Sequence, residues 1–219
     1  MLIPALYVGR RSYCAPMRPT EAGRLQVIAG PMFAGKTEEL LRRVHRARLA
    51  GRRVEVVGHS LDDRGGADRL STHLGRSTPA RMLEDPEMLR GLWDAPEGAE
   101  GRIELLALDE AQFFGPALVP VLEQLLEAGI DVAVAGLCLT YDGEPFSPLP
   151  ELMARAEEVV KLTAVCTVCG ADAAFHIRLV EDGADARRAT AAQVGGGESY
   201  RARCRAHRDP AAREPRRLR

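Results

Sequence analysis

The chain has 219 residues, of which 30 are Lys or Arg, 31 are Asp or Glu, and 46% are hydrophobic. This length and composition predict a globular protein of one or two domains and exclude wholesale disorder or a fibrous repeat. The formal net charge of -1 argues against a general binder of nucleic acids or membrane surfaces, which would carry a marked basic excess. The sequence has no apolar run of the roughly 18 to 20 residues that a membrane span needs.

Apolar runs and helical spacings alternate along the chain. Strands are predicted at 25–29, 53–57, 103–108 and 130–137. Helices are predicted at 37–50, 117–128 and 152–160, with a weaker helical stretch at 86–93. The region 61–102 shows poorer periodicity and is predicted to contain a functional loop. Because strands and helices alternate over short connections, we expect an α/β fold with a parallel sheet covered by helices.

A glycine-rich loop lies between the first strand and the first helix. Residues 30–37 read GPMFAGKT and fit the pattern G-x-x-x-x-G-K-S/T in the context that this pattern requires. The loop amides and the helix N-terminus can bind triphosphate oxygens. Lys36 is predicted to bridge the outer phosphates and Thr37 to ligate Mg²⁺. The predicted nucleotide-binding residues of the loop are Gly30, Pro31, Met32, Phe33, Ala34, Gly35, Lys36 and Thr37.

Two acidic residues follow the third predicted strand, at the edge where a parallel sheet opens onto its ligand. Asp109 is predicted to hold the Mg²⁺, directly or through water. Adjacent side chains on an extended segment point to opposite sides, so Glu110 is left free to act as a general base toward an acceptor hydroxyl. The alternative is a solvated acidic turn.

Three cysteines and a histidine form two knuckles near the C-terminus. Cys166 and Cys169 are separated by two residues, as are Cys204 and His207, and this ligand set is typical of a tetrahedral structural zinc site. The 34 intervening residues exceed the usual loop length, and unconnected buried cysteines are the alternative. A metal site rather than a disulfide ladder favours a reducing, cytoplasmic location.

Several further elements occur together with these motifs. They are the D-x-R and T-H-x-G elements around Asp62, Arg64 and His73, DEAQFF at 109–114, EPF at 144–146, VVKLTAVC at 159–166 and Y-x3-C-x2-H at 200–207. Over residues 23–208 the chain therefore resembles the zinc-containing, type II thymidine kinases. The resemblance implies an α/β fold, namely a P-loop NTPase-type parallel sheet with flanking helices plus a small zinc-binding lasso domain.

The resemblance also implies roles for individual residues. Glu110 would be the base for the 5′-hydroxyl, with Lys36 and Arg64 acting at the phosphates. The implied nucleoside-binding residues are Met32, Asp62, Phe113, Leu137, Tyr141, His176, Gln193, Val194, Gly195 and Tyr200. The implied cofactors are Mg²⁺ with ATP and a structural Zn²⁺ on Cys166, Cys169, Cys204 and His207. The chain departs from the family pattern at Cys138 and Leu139, where an acidic residue is common, and at His176, where threonine is usual.

We therefore predict a cytoplasmic thymidine kinase that binds ATP and thymidine, forms dTMP and acts without a membrane or nucleic acid. The family implies a homotetramer. The predicted domains are a weakly ordered extension at 1–23, a kinase domain at 24–163, a lasso domain at 164–208 and a disordered tail at 209–219.

Three alternatives remain at this point. A kinase for another deoxynucleoside is compatible with Cys138 and His176. A P-loop ATPase is compatible with the acidic pair after the strand, although the sequence has no second motor domain. A zinc-ribbon nucleic-acid module would use the arginine-rich end REPRRLR on phosphates.

Overall fold

The computed structural model describes residues 22–62, 68–72, 75–92, 102–179 and 199–209. The predicted N-terminal extension and C-terminal tail fall almost entirely outside the described residues. Arg64, His73 and the segment 193–195, all assigned on the family resemblance, also lie outside them.

The core of the molecule is a six-stranded parallel sheet. Its strands are β1 (Leu25–Ala29), β2 (Val54–His59), β5 (Arg81–Leu83), β6 (Leu105–Leu108), β7 (Asp131–Gly136) and β8 (Glu158–Lys161). They are ordered β5-β2-β6-β7-β1-β8, and every neighbouring pair is parallel. Between β2 and β5, the short strands β3 (Arg69–Ser71) and β4 (Ser77–Pro79) form an antiparallel pair. The predicted parallel sheet is therefore confirmed.

Helices cover both faces of this sheet. They are α1 (Lys36–Leu49), α2 (Leu118–Glu127) and α3 (Leu149–Arg155), with shorter 3-10 helices at Pro86–Leu92 and Ala111–Phe114. Successive residues of β1 face opposite sides: Val27 belongs to the cluster with α2, and Ile28 to the cluster with α1. Burial on both faces explains why these strands read as continuous apolar runs. Among the described residues, no helix has the length and apolar character needed to cross a bilayer.

The predicted helix at 152–160 is wrong in its second half. Helix α3 ends at Arg155, and Glu158–Lys161 forms β8, which pairs with β1 at the edge of the sheet. Val159 and Val160 are β-branched and suit a strand, and pairing satisfies backbone groups that β1 would otherwise leave open. The consequence is that the chain leaves the sheet beside the glycine-rich loop, where the Leu162 amide donates to the Ala29 carbonyl at 2.8 Å.

A small C-terminal subdomain follows β8. It contains two antiparallel pairs, β9 (Ala164–Val165) with β10 (Asp172–Ala173) and β11 (Phe175–Arg178) with β12 (Tyr200–Arg203). The Leu179 amide extends the second pair by donating to the Ser199 carbonyl at 2.8 Å. The buried cluster of this subdomain has only small side chains, namely Ala164, Cys166, Ala173 and Ala202. Ala34 of the glycine-rich loop packs against it, so the two predicted functional regions are in contact.

Candidate active site and metal centre

The glycine-rich loop connects β1 to α1 in a conformation that depends on its glycines. A Cβ at Gly30 would lie 2.7 Å from the Leu162 carbonyl oxygen, and Gly35 has a φ of +79°, in the left-handed region. Lys36 is buried, and its Nζ donates to the Pro31 carbonyl at 2.9 Å. The ammonium therefore lies across the loop, in the position expected of a phosphate-binding lysine.

Thr37 and Asp109 join the loop to the end of β6. The Thr37 hydroxyl donates to Asp109 Oδ2 at 2.7 Å, and Asp109 Oδ1 accepts from the Glu110 amide at 2.9 Å. Burial, with the neighbouring charge of Glu110, raises the pKa of Asp109 to about 7, against the opposing effect of the Thr37 hydrogen bond. A hydroxyl and a carboxylate are hard oxygen ligands, so this pair suits the predicted Mg²⁺, whose charge would favour the ionised carboxylate.

The side chains of Glu110 and Asp109 point to different partners, but the backbone conformation that separates them differs from the one predicted from the sequence. The expected extended backbone is wrong here: Glu110 has a φ of +51° and a ψ of +40°, at the start of the 3-10 helix Ala111–Phe114. For a residue with a side chain, this left-handed conformation costs about 1 kcal/mol and is often found at functional sites. The two carboxylates nevertheless have separate partners: Asp109 accepts from the Thr37 hydroxyl, whereas Glu110 Oε2 accepts from the Gln112 side-chain amide.

Gln112 is a site residue that the sequence reasoning missed. Its side chain is 1% exposed and bridges two groups: Nε2 donates to Glu110, and Oε1 accepts from the Leu137 amide at 2.9 Å. A Cβ at Gly136 would lie 2.7 Å from Gln112 Oε1, so glycine leaves room for this bridge. The available signal was a polar residue between the apolar Ala111 and Phe113 of the DEAQFF element. Gln112 thus orients the predicted base and ties it to the end of β7.

Most of the predicted nucleoside-binding residues that the structure describes fall into two groups. Tyr141 and His176 line one cavity of about 400 Å³, and the His176 and Tyr200 rings meet edge-on at 5.9 Å. Phe113 and Asp62 lie around His59: the Phe113 ring is 5.7 Å from the imidazole, and the Asp62 amide donates to the His59 carbonyl at 2.9 Å. Leu137 is linked to Glu110 through Gln112, and Met32 lies half-buried in the glycine-rich loop.

His176 is an uncharged buried imidazole. It is 3% exposed, and its Nδ1 has no hydrogen-bond partner among the described residues. Burial lowers its pKa to about 3; the Lys36 ammonium adds to this effect and the Glu110 carboxylate opposes it. His176 is therefore within electrostatic reach of both predicted catalytic groups. An unpartnered buried nitrogen is costly unless a ligand or water satisfies it.

The four predicted metal ligands come together. The ligand atoms of Cys166, Cys169, Cys204 and His207 all lie within 4.8 Å of one another. The Cys169 and Cys204 sulfurs are 3.8 Å apart, as are Cys166 Sγ and His207 Nδ1. A tetrahedral zinc with Zn–S bonds of about 2.3 Å would place its sulfurs roughly 3.8 Å apart. The cluster can therefore hold a metal ion with the size and softness of zinc.

The first knuckle also prepares one of its thiols, that of Cys166, for a metal. The Gly170 amide donates to the Cys166 carbonyl at 2.9 Å, and Gly170 adopts a φ of +75°. Burial acts to raise the pKa of Cys166, but hydrogen bonds from the backbone at Cys204, Val168 and Cys169 outweigh it and bring the pKa down to about 6. Cys166 is then largely a thiolate at neutral pH, which is the form that binds metal.

Comparison with known proteins agrees with this arrangement. A family model described as Thymidine kinase matches residues 23–208. The chain belongs to the thymidine kinase family. It is 45% identical to the Thymidine kinase of Deinococcus radiodurans over 197 residues, which cover 86% of this chain and 91% of that relative. The Thymidine kinase of Deinococcus deserti is 44% identical, with 86% and 96% covered, and that of Halobacterium salinarum is 42% identical, with 85% and 94% covered.

Replacing Gln112 tests whether this residue orients Glu110 in this member of the thymidine kinase family. In Gln112→Leu, the Leu137 amide loses its buried acceptor and the Glu110 carboxylate its donor, each costing about 1–3 kcal/mol when left unpaired. We expect kcat to fall about tenfold and the free energy of unfolding to fall as well. Steady-state kinetics and urea unfolding would measure both effects. The control is Gln124→Leu, the same substitution on α2. Normal kcat and stability in Gln112→Leu would contradict the role of Gln112 in orienting Glu110.

The lowered pKa of His176 predicts a pH dependence of stability in this kinase. Below the ordinary histidine pKa of about 6.5, the unfolded chain binds a proton that the folded protein resists. The free energy of unfolding should therefore fall as the pH drops from 6.5 toward 3, by up to about 1.4 kcal/mol per pH unit from this group. His176→Gln should lack this component. Urea unfolding at pH 7.5 and 5.5 measures the difference.

The control for this pH effect is the exposed histidine of α1, in the variant His45→Gln. It should keep the pH dependence of the wild type. Equal pH dependence in the wild type and both variants would show that His176 is protonated as readily in the folded protein as in the unfolded chain.

Proposed function

We propose that this chain transfers the γ-phosphate of ATP to the 5′-hydroxyl of thymidine, giving dTMP. The observation that supports it best is the placement of a buried, oriented carboxylate, Glu110, next to the Thr37–Asp109 pair, which joins the glycine-rich loop to the end of β6. Membership of the thymidine kinase family and the names of the relatives support the choice of acceptor.

The donor side of this reaction uses the glycine-rich loop. The loop amides and Lys36 would bind the triphosphate, and Thr37 with Asp109 would hold the Mg²⁺. When bound, Mg²⁺ neutralises charge on the phosphate oxygens. Lys36 now donates to the Pro31 carbonyl, and a triphosphate would exchange that neutral acceptor for charged oxygens, which form stronger hydrogen bonds. Arg64 is proposed to add a further positive charge at the phosphates.

The acceptor side depends on Glu110. Its carboxylate accepts the proton of the 5′-hydroxyl as the hydroxyl oxygen forms a bond to the γ-phosphorus and the bond between that phosphorus and the leaving ADP oxygen breaks. Gln112 holds the carboxylate for this step by donating to Oε2. Because Glu110 is buried, water competes little for the same position.

The nucleoside would be held by the predicted set that includes Met32, Phe113, Tyr141 and Tyr200. Aromatic rings provide faces for stacking on a base. Backbone groups at 193–195 are proposed to bind the edge of the thymine. His176 completes this set, since it lines the same cavity as Tyr141.

The metal proposed for the cysteine cluster is a structural Zn²⁺. Three thiolates and one imidazole form a closed tetrahedral set, which is typical of structural rather than catalytic zinc. Zinc would fix the two knuckles to each other, and with them the ends of β9 to β12. We also propose kinase and lasso domains at 24–163 and 164–208, a cytoplasmic location and a homotetrameric assembly.

The function is tested by following ADP formation from Mg-ATP with thymidine, deoxyuridine, deoxycytidine or no acceptor. We expect turnover that depends on thymidine. Turnover without an acceptor would instead identify an ATPase. Activity with another deoxynucleoside but not with thymidine would place the difference in the base pocket, where His176 stands in place of the usual threonine.

A further inference from the structure

The turn that carries Tyr141 is contacted by Arg208, the residue after the metal ligand His207, and both line the same cavity. The turn spans Thr140–Glu144: the Gly143 amide donates to the Thr140 carbonyl at 3.0 Å and the Thr140 amide to the Glu144 carbonyl at 2.8 Å. Tyr141 at its tip lines the cavity that also contains His176. The position of this turn therefore sets one wall of the cavity.

Arg208 contacts both the turn and the knuckle. It directly follows His207, and its guanidinium carbon lies 4.3 Å from the centre of the Phe175 ring in β11. The guanidinium also lies against Gly143: a Cβ added there would be 3.2 Å from the Arg208 Cζ and closer still to Nη2. The guanidinium is thus close to both an aromatic ring and the backbone of the turn, and an aromatic ring is a favourable neighbour for its planar charge.

A second arginine provides a comparison on the same ring. Arg205 also lies over Phe175, with its guanidinium carbon 5.2 Å from the ring centre, but it has no contact of this kind with Gly143. Both arginines therefore lie over Phe175, but of the two only Arg208 contacts the turn.

We infer that Arg208 is a positioning residue that couples the metal knuckle to the Thr140–Glu144 turn and so sets Tyr141 against the nucleoside. The inference rests on the proposed function for the identity of the ligand. The cluster ligand His207 fixes the backbone from which Arg208 extends, Phe175 fixes the plane of the guanidinium, and Gly143 receives it. Occupancy of the metal site would then affect nucleoside affinity through a defined side chain.

The test compares Arg208→Ala, Arg208→Lys and Arg205→Ala. In Arg208→Ala we expect the KM for thymidine to rise about threefold, since the exposed guanidinium loses its contact with the Thr140–Glu144 turn. We expect kcat and the KM for ATP to stay within about twofold, because Lys36, Thr37 and Glu110 are untouched. Arg208→Lys should recover part of the affinity, and Arg205→Ala should resemble the wild type. Zinc content must stay at the wild-type level in all three variants.

A second readout needs no substrate. Hydrogen exchange of the Thr140 and Gly143 amides should become faster in Arg208→Ala but not in Arg205→Ala, because only the first variant loses the contact between the guanidinium and Gly143. Unchanged exchange in Arg208→Ala, or equal changes in both variants, would overturn the inference. A wild-type protein without thymidine-dependent turnover would refute the proposed function instead, and the exchange comparison would still decide the role of Arg208.

Discussion

Replacing Glu110 with glutamine should reduce kcat by about a hundredfold or more, the usual contribution of a positioned general base. Glutamine has the size of glutamate but does not accept the proton of the 5′-hydroxyl. Because the Gln112 amide donates to Oε2, the variant can keep that hydrogen bond through its own carbonyl oxygen, so the side chain should stay in place. The KM for ATP should change little, since Lys36 and Thr37 are untouched. ADP formation with saturating thymidine measures the loss.

The matched control is Glu127→Gln, which makes the same chemical change at the exposed end of α2. It should keep the wild-type kcat. If Glu110→Gln retained activity within about threefold, another group would have to be the base. A decrease confined to the KM for thymidine would show that Glu110 binds the hydroxyl without removing its proton.

Removing one cysteine of the metal cluster should have the largest effect on folding. The buried cluster around the metal ligands consists of Ala164, Cys166, Ala173 and Ala202, whose small side chains bury little apolar surface; the larger buried side chains, Phe175, Ile177 and Tyr200, lie in the neighbouring β11–β12 pair. Ordering each residue costs about 1–2 kcal/mol, which so small a cluster does not offset. A structural zinc contributes on the order of 10 kcal/mol. Cys204→Ser should therefore lose bound zinc, unfold at a lower temperature and lose at least about tenfold in thymidine-dependent turnover.

Zinc stoichiometry and thermal unfolding test this expectation. The control is Cys138→Ala, since Cys138 is buried in the main core and lies outside the cluster. This variant should keep its zinc and lose only the small stability of a trimmed core side chain. Normal zinc content and thermal stability in Cys204→Ser would show that the four ligands hold no structural metal.

The parts of the fold that the sequence predicted share one physical property. The strands of the central sheet are buried by α1 and α2, so β1, β6 and β7 appear as apolar runs that end at glycine or acidic residues. The glycine-rich loop and the metal knuckles were recognisable because their chemistry requires fixed spacings of particular residues.

The parts that the sequence did not predict depend on distant partners. Strand β8 has four residues and exists because β1 offers an open edge, so its apolar spacing was mistaken for the continuation of a helix. Strands β9 and β10 have two residues each and pair across the first metal knuckle. The bridge made by Gln112 joins Glu110 to Leu137, which lie 27 residues apart, and no local pattern reports such a contact.

The hydrogen bond between the Leu179 amide and the Ser199 carbonyl bears on where related sequences can differ in length. The β11–β12 ladder, extended by this bond at its open end, fixes the separation of the two chain segments whatever the number of residues that join them. Doubling the length of a flexible connection costs only about 0.6 kcal/mol of closure entropy. Insertions and deletions between residues 179 and 199 can therefore leave unchanged the register that presents His176 and Tyr200.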